Sequence, residues 1–183
     1  MDLKSARRLP ASVIRRAKAI RMLVLDVDGV MTDGRVFYGP GGQEFTAFHI
    51  LDGHGIKMAI RSGLSLAIIT GRESEAVAQR ARELGIQEVH QKAVDKLAIF
   101  QGLLARCGLA ASQVACMGDD LLDLPLLRRV GLAITVPDAV DELRAAAHYV
   151  TRRPGGQGAV REAIELLLKT QDHWSVELER YQR

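Results

Sequence analysis

Two aspartates stand two residues apart at the end of an apolar run in the segment LVLDVDGVMTDG, residues 23–34. Alternate residues of a β-strand lie on the same face, so Asp26 and Asp28 would share one face where the strand ends. Two carboxylates in this arrangement can bind a divalent cation, or can act as a nucleophile and a general acid. The alternative is a strand-end turn in which both side chains only cap backbone groups.

Two other apolar runs also end in polar residues. One ends at Thr70 and is followed by Arg72, and the other is followed by Asp119 and Asp120. Because ligands bind beyond the carboxyl ends of parallel strands, we expect these residues to converge with the first two aspartates at one edge of a sheet. This convergence favours an active site over a simple turn.

Short apolar strands alternate with amphipathic helical segments along the chain, starting with a helix over residues 10–20. The alternation predicts an α/β fold, a three-layer doubly wound parallel sheet with helices on both faces. The sequence contains no repeat, low-complexity segment or linker that would divide it, so we expect residues 1–183 to form a single domain. The polar residues 171–183 are expected to be a flexible tail.

The segment 34–50 interrupts the expected connection from the first strand to a helix. Residues 36–38 and 44–50 are β-type runs, and the glycine-rich residues 39–42 between them predict a tight turn. We therefore expect a β-hairpin insertion. Its aromatic residues would leave apolar surface exposed in a monomer and so indicate an interface, unless they pack on their own domain. They are Phe37, Tyr38, Phe45 and Phe48.

The composition excludes several classes of protein. The net charge is only +3 and aromatic residues make up 4% of the 183 residues, which does not suggest a nucleic-acid partner. No apolar stretch reaches the roughly 18 residues of a membrane span, so no membrane partner is expected. The two cysteines, Cys107 and Cys116, do not form a CxxC pattern. A reducing, cytoplasmic location is therefore expected.

The converging residue types match phosphoryl transfer. Asp26 can attack phosphorus to form an aspartyl-phosphate, and Asp28 can protonate the leaving oxygen and then deprotonate a water molecule. Thr70 offers a hydroxyl donor to the transferred group. A lysine from the following helix would balance the remaining charge, and we choose Lys96 over its near rival Lys92.

A magnesium ion would fit among the same residues, because Mg²⁺ prefers oxygen ligands and keeps several waters. Asp26 and Asp119 would supply carboxylates to the metal. Asp120 or Asp123 would support these ligands from behind.

Four segments occur in the order that is typical of one superfamily: DVDGVMTDG, Thr70-Gly71-Arg72, Lys96 and GDDLLD. They resemble motifs one to four of the haloacid dehalogenase superfamily of phosphohydrolases, and they cover residues 22–125. The resemblance implies the catalytic roles given above and adds that the backbone oxygen of Asp28 binds the metal. An acid two residues after the nucleophile marks the phosphatase and phosphomutase branches of that superfamily.

Nearly the whole chain resembles one capless branch, the bacterial 3-deoxy-D-manno-octulosonate 8-phosphate phosphatases. The similarity includes AFHILDGHGIK, IITGRES, VGLAITVPDA and YVTRRPGGQGAVREAIELLL. It implies a sugar-acid phosphate substrate from lipopolysaccharide core biosynthesis, and a homotetramer, formed through the 34–50 hairpin, in which a neighbouring subunit covers each site. The implied substrate contacts are Asp28, His49, Ile50, Leu51, Asp52, Gly53, Lys57, Arg72, Arg80 and Lys96.

Two departures from this branch bear on the substrate. The branch often has a basic residue where this chain has Leu51, and arginine where it has Lys57, so anion recognition would be weaker. A related nonulosonate 9-phosphate or another sugar phosphate is therefore an alternative substrate. A non-catalytic assembly module is disfavoured by the intact motifs. We expect residues 155–162, GGQGAVRE, to form a flexible lid or interface, with an ordinary loop before a helix as the alternative.

Overall fold

The computed structural model describes residues 9–182, and its centre is a parallel sheet of six strands. The order across this sheet is β5-β4-β1-β6-β7-β8, and a separate antiparallel pair, β2-β3, forms the hairpin. This is the predicted α/β architecture with its hairpin insertion. The strands are β1 Met22–Leu25, β2 Phe37–Tyr38, β3 Glu44–Phe45, β4 Ser65–Ile69, β5 Glu88–His90, β6 Val114–Gly118, β7 Leu132–Thr135 and β8 Tyr149–Val150.

Eight α-helices lie within the described residues and cover the two faces of the sheet. Helix α7 contacts α1 and α2, and α2 contacts α3, whereas α5 contacts α4 and α6 in the other layer. Right-handed crossovers produce this separation because the chain winds outward from β1 in both directions. The helices are α1 Ala11–Lys18, α2 Ile50–Arg61, α3 Glu75–Leu84, α4 Lys96–Cys107, α5 Leu124–Leu127, α6 Asp141–Ala146, α7 Ala159–Thr170 and α8 Trp174–Glu179.

Strand β1 lies at the centre of the sheet, and all four of its residues are buried. Leu25, its last residue, lies beside Ile68 of β4 and Met117 of β6. The three strands therefore end at the same level, and the residues that follow them meet. The strand order reverses between β1 and β6, which is where doubly wound sheets place their ligands.

Helix α4 begins at Lys96, the lysine that the sequence analysis predicts for the site. The carboxylate of Asp95 caps the helix by accepting a hydrogen bond from the backbone N–H of Ala98, at 3.0 Å. Aspartate is among the preferred residues at this position because its oxygen satisfies a free N–H of the first turn. The cap fixes the start of α4 and places Lys96 in its first turn.

The hairpin is shorter than the sequence predicted. Strand β3 ends at Phe45 rather than continuing to Ile50, because His49 is the N-cap of α2 and Ile50 is its first residue. Phe48 also differs from the prediction of an exposed aromatic surface, since it packs against the hydrophobic core. The other three aromatic residues remain exposed, at 52% for Phe37, 72% for Tyr38 and 56% for Phe45.

The carboxyl-terminal segment is a helix in the structure, where the sequence suggested a flexible tail. The side chain of Glu177 in α8 is buried, and its Oε2 accepts a hydrogen bond from Arg61 of α2 at 2.7 Å. The ammonium of Lys169 lies 4.7 Å from the centre of the Trp174 ring. The sequence analysis missed these contacts because the segment is short and mostly polar. None of the helices within residues 9–182 has the length and apolar character to cross a membrane.

Candidate active site

The three neighbouring strand ends enclose a cavity of about 270 Å³. Eight of the residues predicted for the site line it, which confirms in the structure that these residues converge. They are Asp26, Asp28, Thr70, Arg72, Lys96, Asp119, Asp120 and Asp123. Gly29, Gly34, Gly71 and Leu122 also line it and were not predicted, since glycines after a strand carry no sign of their surroundings.

A tight turn after β1 presents the first two aspartates to the cavity. The carbonyl oxygen of Val27 accepts hydrogen bonds from the backbone N–H groups of Val30, Met31 and Thr32, at 2.9–3.2 Å. Gly29 has a φ of +80°, a conformation that side chains disfavour, and a Cβ there would overlap the carboxylate of Asp119. The turn therefore requires glycine at this position.

Lys96 lies between two carboxylates in the buried wall of the cavity. Its Nζ is 2.9 Å from Oδ1 of Asp26 and donates a hydrogen bond to Oδ1 of Asp123 at 2.7 Å. Its exposure is only 4%. The rival Lys92 is exposed and pairs with Glu73, so the structure supports Lys96 as the lysine of the site.

Burial and neighbouring negative charge raise the pKa values of two aspartates in the cavity wall. Burial, followed by the charge of Asp123, raises the pKa of Asp26 to about 7. Burial, together with the charges of Asp26 and Asp123, also raises the pKa of Asp119 to about 7. For Lys96, burial would lower the pKa, but the charges of Asp26 and Asp123 outweigh it and raise the pKa. The cluster therefore carries excess negative charge that a cation would relieve.

The donor atoms of the cluster fit a small divalent cation. One carboxylate oxygen from each of Asp26, Asp119 and Asp123 lies within 4.8 Å of the other two. Oδ1 of Asp26 is buried, and although Lys96 is close to it, no donor among residues 9–182 is aligned to form a hydrogen bond with it. Both oxygens of Asp123 already accept hydrogen bonds, one from Lys96 and one from the backbone N–H of Asp119, so Asp26 and Asp119 are the carboxylates left for a metal.

The two predicted supporting aspartates have different positions. Asp123 is buried, and its Oδ2 accepts a hydrogen bond from the backbone N–H of Asp119 at 3.4 Å, so it holds both that residue and Lys96. Asp120 is exposed at the rim and accepts a hydrogen bond from the N–H of Leu121 at 2.7 Å. Asp123 is therefore the residue that supports the cluster from behind.

Arg72 connects the turn after β1 to the hairpin. Its Nη1 donates to Oδ1 of Asp28 at 3.2 Å, and its Nη2 donates to Oε2 of Glu44 at 2.7 Å. The sequence analysis predicted Arg72 but missed Glu44, which is in strand β3. The only sequence signal was an acidic residue in a hairpin inserted directly after the aspartate motif.

Seven of the residues implied as substrate contacts do not line the cavity: His49, Ile50, Leu51, Asp52, Gly53, Lys57 and Arg80. Asp52 is only 3% exposed, and its carboxylate accepts hydrogen bonds from the backbone N–H groups of Gly158 and Arg161, at 3.2 and 2.7 Å. It therefore joins the first turn of α2 to the start of α7. Its carboxylate is thus engaged within the chain, and its role as a substrate contact stays a prediction.

Residues 155–158 are packed against the turn after β1 and do not form an open lid. The N–H of Gly156 donates to the carbonyl oxygen of Val30 at 3.0 Å. A Cβ at Gly155 would overlap the carbonyl oxygen of Gly29. The glycines are required for this close approach, which favours an ordinary loop before a helix over a flexible lid, and the interface role stays a prediction.

This fold, with Asp26, Thr70, Lys96 and Asp119 around one cavity, is typical of the haloacid dehalogenase class of hydrolases. Residues 81–164 match the family of haloacid dehalogenase-like hydrolases. The chain is 48% identical to the 3-deoxy-D-manno-octulosonate 8-phosphate phosphatase KdsC of Yersinia pestis over 160 residues, which is 87% of this chain and 86% of that protein. It belongs to the family of 3-deoxy-D-manno-octulosonate 8-phosphate phosphatases.

Solved structures of similar proteins indicate the same family. One is the phosphatase of that name from Moraxella catarrhalis, in complex with magnesium ion, phosphate ion and a KDO molecule. It has a TM-score of 0.91 and 41% identity, with 92% of this chain and 97% of that chain covered. The cobalt-bound phosphatase from Haemophilus influenzae has a TM-score of 0.83 and 34% identity, with 86% and 92% covered.

Proposed function

We propose that this protein hydrolyses 3-deoxy-D-manno-octulosonate 8-phosphate to the free sugar acid and phosphate, in lipopolysaccharide core biosynthesis. The single observation that carries the proposal is the buried Asp26–Lys96–Asp123 cluster, which opens into the cavity beside Asp28. A structural scaffold would gain nothing from crowding carboxylates in this way, because their burial is costly. The substrate is inferred from the family to which the chain belongs.

A phosphate ester would enter this cavity only when a divalent cation is bound there. The lining carries five carboxylates and two cationic side chains, so it repels an anion as it stands. The carboxylates of Asp26 and Asp119 and the backbone oxygen of Asp28 would hold Mg²⁺. When bound, the ion supplies positive charge that neutralises the phosphoryl oxygens.

In the first step, a carboxylate oxygen of Asp26 attacks phosphorus. The bond from phosphorus to the ester oxygen breaks as the bond to Asp26 forms, and Asp28 donates its proton to the departing sugar oxygen. Lys96 favours the ionised form of Asp26, because its charge lowers a pKa that burial has raised. Arg72 and Thr70 bind the equatorial oxygens of the phosphoryl group.

In the second step, water attacks the phosphorus of the aspartyl-phosphate. Asp28, which became ionised in the first step, takes a proton from that water, and the bond between phosphorus and Asp26 breaks. Phosphate leaves and Asp26 returns to its carboxylate form. The two aspartates thus have separate functions, and both reach the cavity from one turn.

The remaining substrate contacts require a second copy of the chain. Phe37, Tyr38 and Phe45 present an exposed apolar surface on the hairpin, which supports a homotetramer in which this surface covers a neighbouring site. The two cysteines, which form no CxxC pattern, favour a cytoplasmic location for it. His49, Ile50, Leu51, Gly53, Lys57 and Arg80 would then contribute to the sugar-acid site from the rim or through the neighbour. Light scattering tests this arrangement, and a stable monomer would contradict it.

A second candidate substrate is a related nonulosonate 9-phosphate or another sugar phosphate. Leu51 is 46% exposed and carries no charge at a position where the family often has a basic residue. A carboxylate at the far end of the substrate would therefore be bound more weakly there.

A phosphate-release assay distinguishes these candidates. Wild type, Asp26→Asn and the surface control Asp138→Asn would be compared on a panel of sugar-acid and sugar phosphates, with Mg²⁺ and with EDTA. We expect wild type and Asp138→Asn to prefer the octulosonate ester and to need Mg²⁺, and we expect Asp26→Asn to be inactive. Release from no compound would overturn the enzymatic proposal, whereas a strong preference for another ester would overturn only the substrate.

A further inference from the structure

We propose that Glu44, in hairpin strand β3, is a positioning residue that limits the guanidinium of Arg72 to a single contact with Asp28 and keeps it available to the substrate phosphate. This inference rests on the phosphatase function proposed above and adds a residue to it. Glu44 does not line the cavity, and its carboxylate acts through Arg72.

The hydrogen bonds of Glu44 fix the direction of its carboxylate. Oε2 accepts from Nη2 of Arg72 at 2.7 Å, and Oε1 accepts from the hydroxyl of Thr46 at 3.4 Å. The side chain is 23% exposed and that of Arg72 is 39% exposed, so the ion pair is partly shielded from water. Thr46, just after strand β3, thus helps to orient Glu44 towards the arginine.

Arg72 makes unequal contacts with its two carboxylates. The contact with Glu44 is 2.7 Å and the contact with Asp28 is 3.2 Å, each through a different terminal nitrogen. Arginine has five N–H donors, so the guanidinium keeps donors for a phosphate while Glu44 occupies one. Without Glu44, the planar fork can turn to pair with both oxygens of Asp28, which is its preferred geometry with a single carboxylate.

The consequence concerns two functions of the site at once. A bidentate pair with Asp28 would remove the phosphate anchor and would also occupy the acid of the first step. Glu44 prevents this pairing by offering a competing carboxylate on the far side of the guanidinium. Since Glu44 belongs to the hairpin, the position of the hairpin is coupled to the readiness of the site.

The test is a double-mutant cycle of Glu44→Gln and Arg72→Ala, measured as kcat/KM in Mg²⁺ with the best ester of the panel. Because a partly exposed ion pair is worth up to about 1 kcal/mol, we expect Glu44→Gln to lower kcat/KM about fivefold in the wild-type background. In the Arg72→Ala background the same change should have no effect, or should raise the rate by removing a negative charge. Equal losses in both backgrounds would overturn the proposal, as would no loss in wild type.

A matched control separates charge from position. Glu73→Gln removes a carboxylate next to Arg72 in sequence, but Glu73 pairs with Lys92 instead. We expect it to keep the wild-type kcat/KM, and a loss equal to that of Glu44→Gln would overturn the proposal in favour of a general charge effect. Light scattering should give the same oligomer for all variants.

Binding of inorganic phosphate gives a readout that does not need turnover. Calorimetry of Mg²⁺-loaded protein should show about fivefold weaker phosphate binding for Glu44→Gln than for wild type. Unchanged binding would overturn the proposal. If wild type binds phosphate and Glu44→Gln weakens that binding while no ester is hydrolysed, the proposed function fails and the positioning of Arg72 by Glu44 stands.

Discussion

Replacing Lys96 by methionine would remove the buried ammonium that lies between Asp26 and Asp123. The two carboxylates are 8% and 2% exposed, and Lys96 is within 2.9 Å of one and 2.7 Å of the other. Removing one partner of a buried ion pair costs about 3–5 kcal/mol, because the remaining charge is left without compensation. We therefore expect Lys96→Met to lose about this free energy of unfolding near pH 8 in EDTA.

The loss should depend on pH with a definite sign. Burial has already raised the pKa of Asp26 to about 7, and losing Lys96 removes an interaction that lowers it. A carboxyl whose pKa is raised in the folded protein binds protons that the unfolded chain has released, so its cost grows as the pH rises. Lys96→Met should therefore be clearly less destabilised near pH 6 than near pH 8.

Urea unfolding measures this loss, with Lys92→Met as the matched control. Lys92 is exposed, so its replacement should change the free energy by no more than about 0.5 kcal/mol. The double variant Lys96→Met/Asp123→Asn should recover part of the loss, since it removes one of the stranded charges. A loss below about 1 kcal/mol near pH 8, or an equal loss at both pH values, would refute this reasoning.

Three other predictions follow from the geometry. Metal-free wild type should lose thermal stability from about pH 5 to pH 8, because Asp26 and Asp119, with pKa values of about 7, keep protons over part of a range where unfolded aspartates are ionised. Mg²⁺ should stabilise the protein more at the higher pH. Melting curves with EDTA or Mg²⁺ that show the opposite trend would contradict this prediction. Gly155→Ala should lower kcat at least about tenfold in the phosphate-release assay by displacing Gly29, and a wild-type rate would show that the contact is unimportant. Asp52→Ala should lower the free energy of unfolding by about 1–3 kcal/mol in urea by removing the cap of α7, whereas no change would show that the cap contributes nothing.

The convergence of the cavity residues could be predicted because local patterns placed most of them at strand ends. An apolar run before Asp26, another before Thr70 and a third before Asp119 each indicated a buried strand, and parallel pairing brings such ends together. Lys96 was chosen over Lys92 because it belongs to the following helix, where a lysine would balance the charge of the phosphoryl group. These inferences required the alternation of strands and helices and the chemistry of the side chains.

The residues that were missed or misplaced depend on contacts between distant segments. Glu44 meets Arg72 across 28 positions of sequence, and Asp52 caps α7 across 106 and 109 positions. Neither partner can be found from periodicity or spacing. Helix α8 was missed because its short polar sequence gives no clear pattern and its buried Glu177 pairs with Arg61, 116 positions earlier in the chain.

The stereochemical course at phosphorus tests the central claim, that Asp26 is a nucleophile, most directly. An ester with a chiral isotopically labelled phosphoryl group would be hydrolysed in labelled water with Mg²⁺, and the configuration of the product phosphate determined. Attack by Asp26 followed by attack of water gives two inversions, so the account predicts net retention. Net inversion would mean that water attacks the ester directly and would contradict the aspartyl-phosphate step.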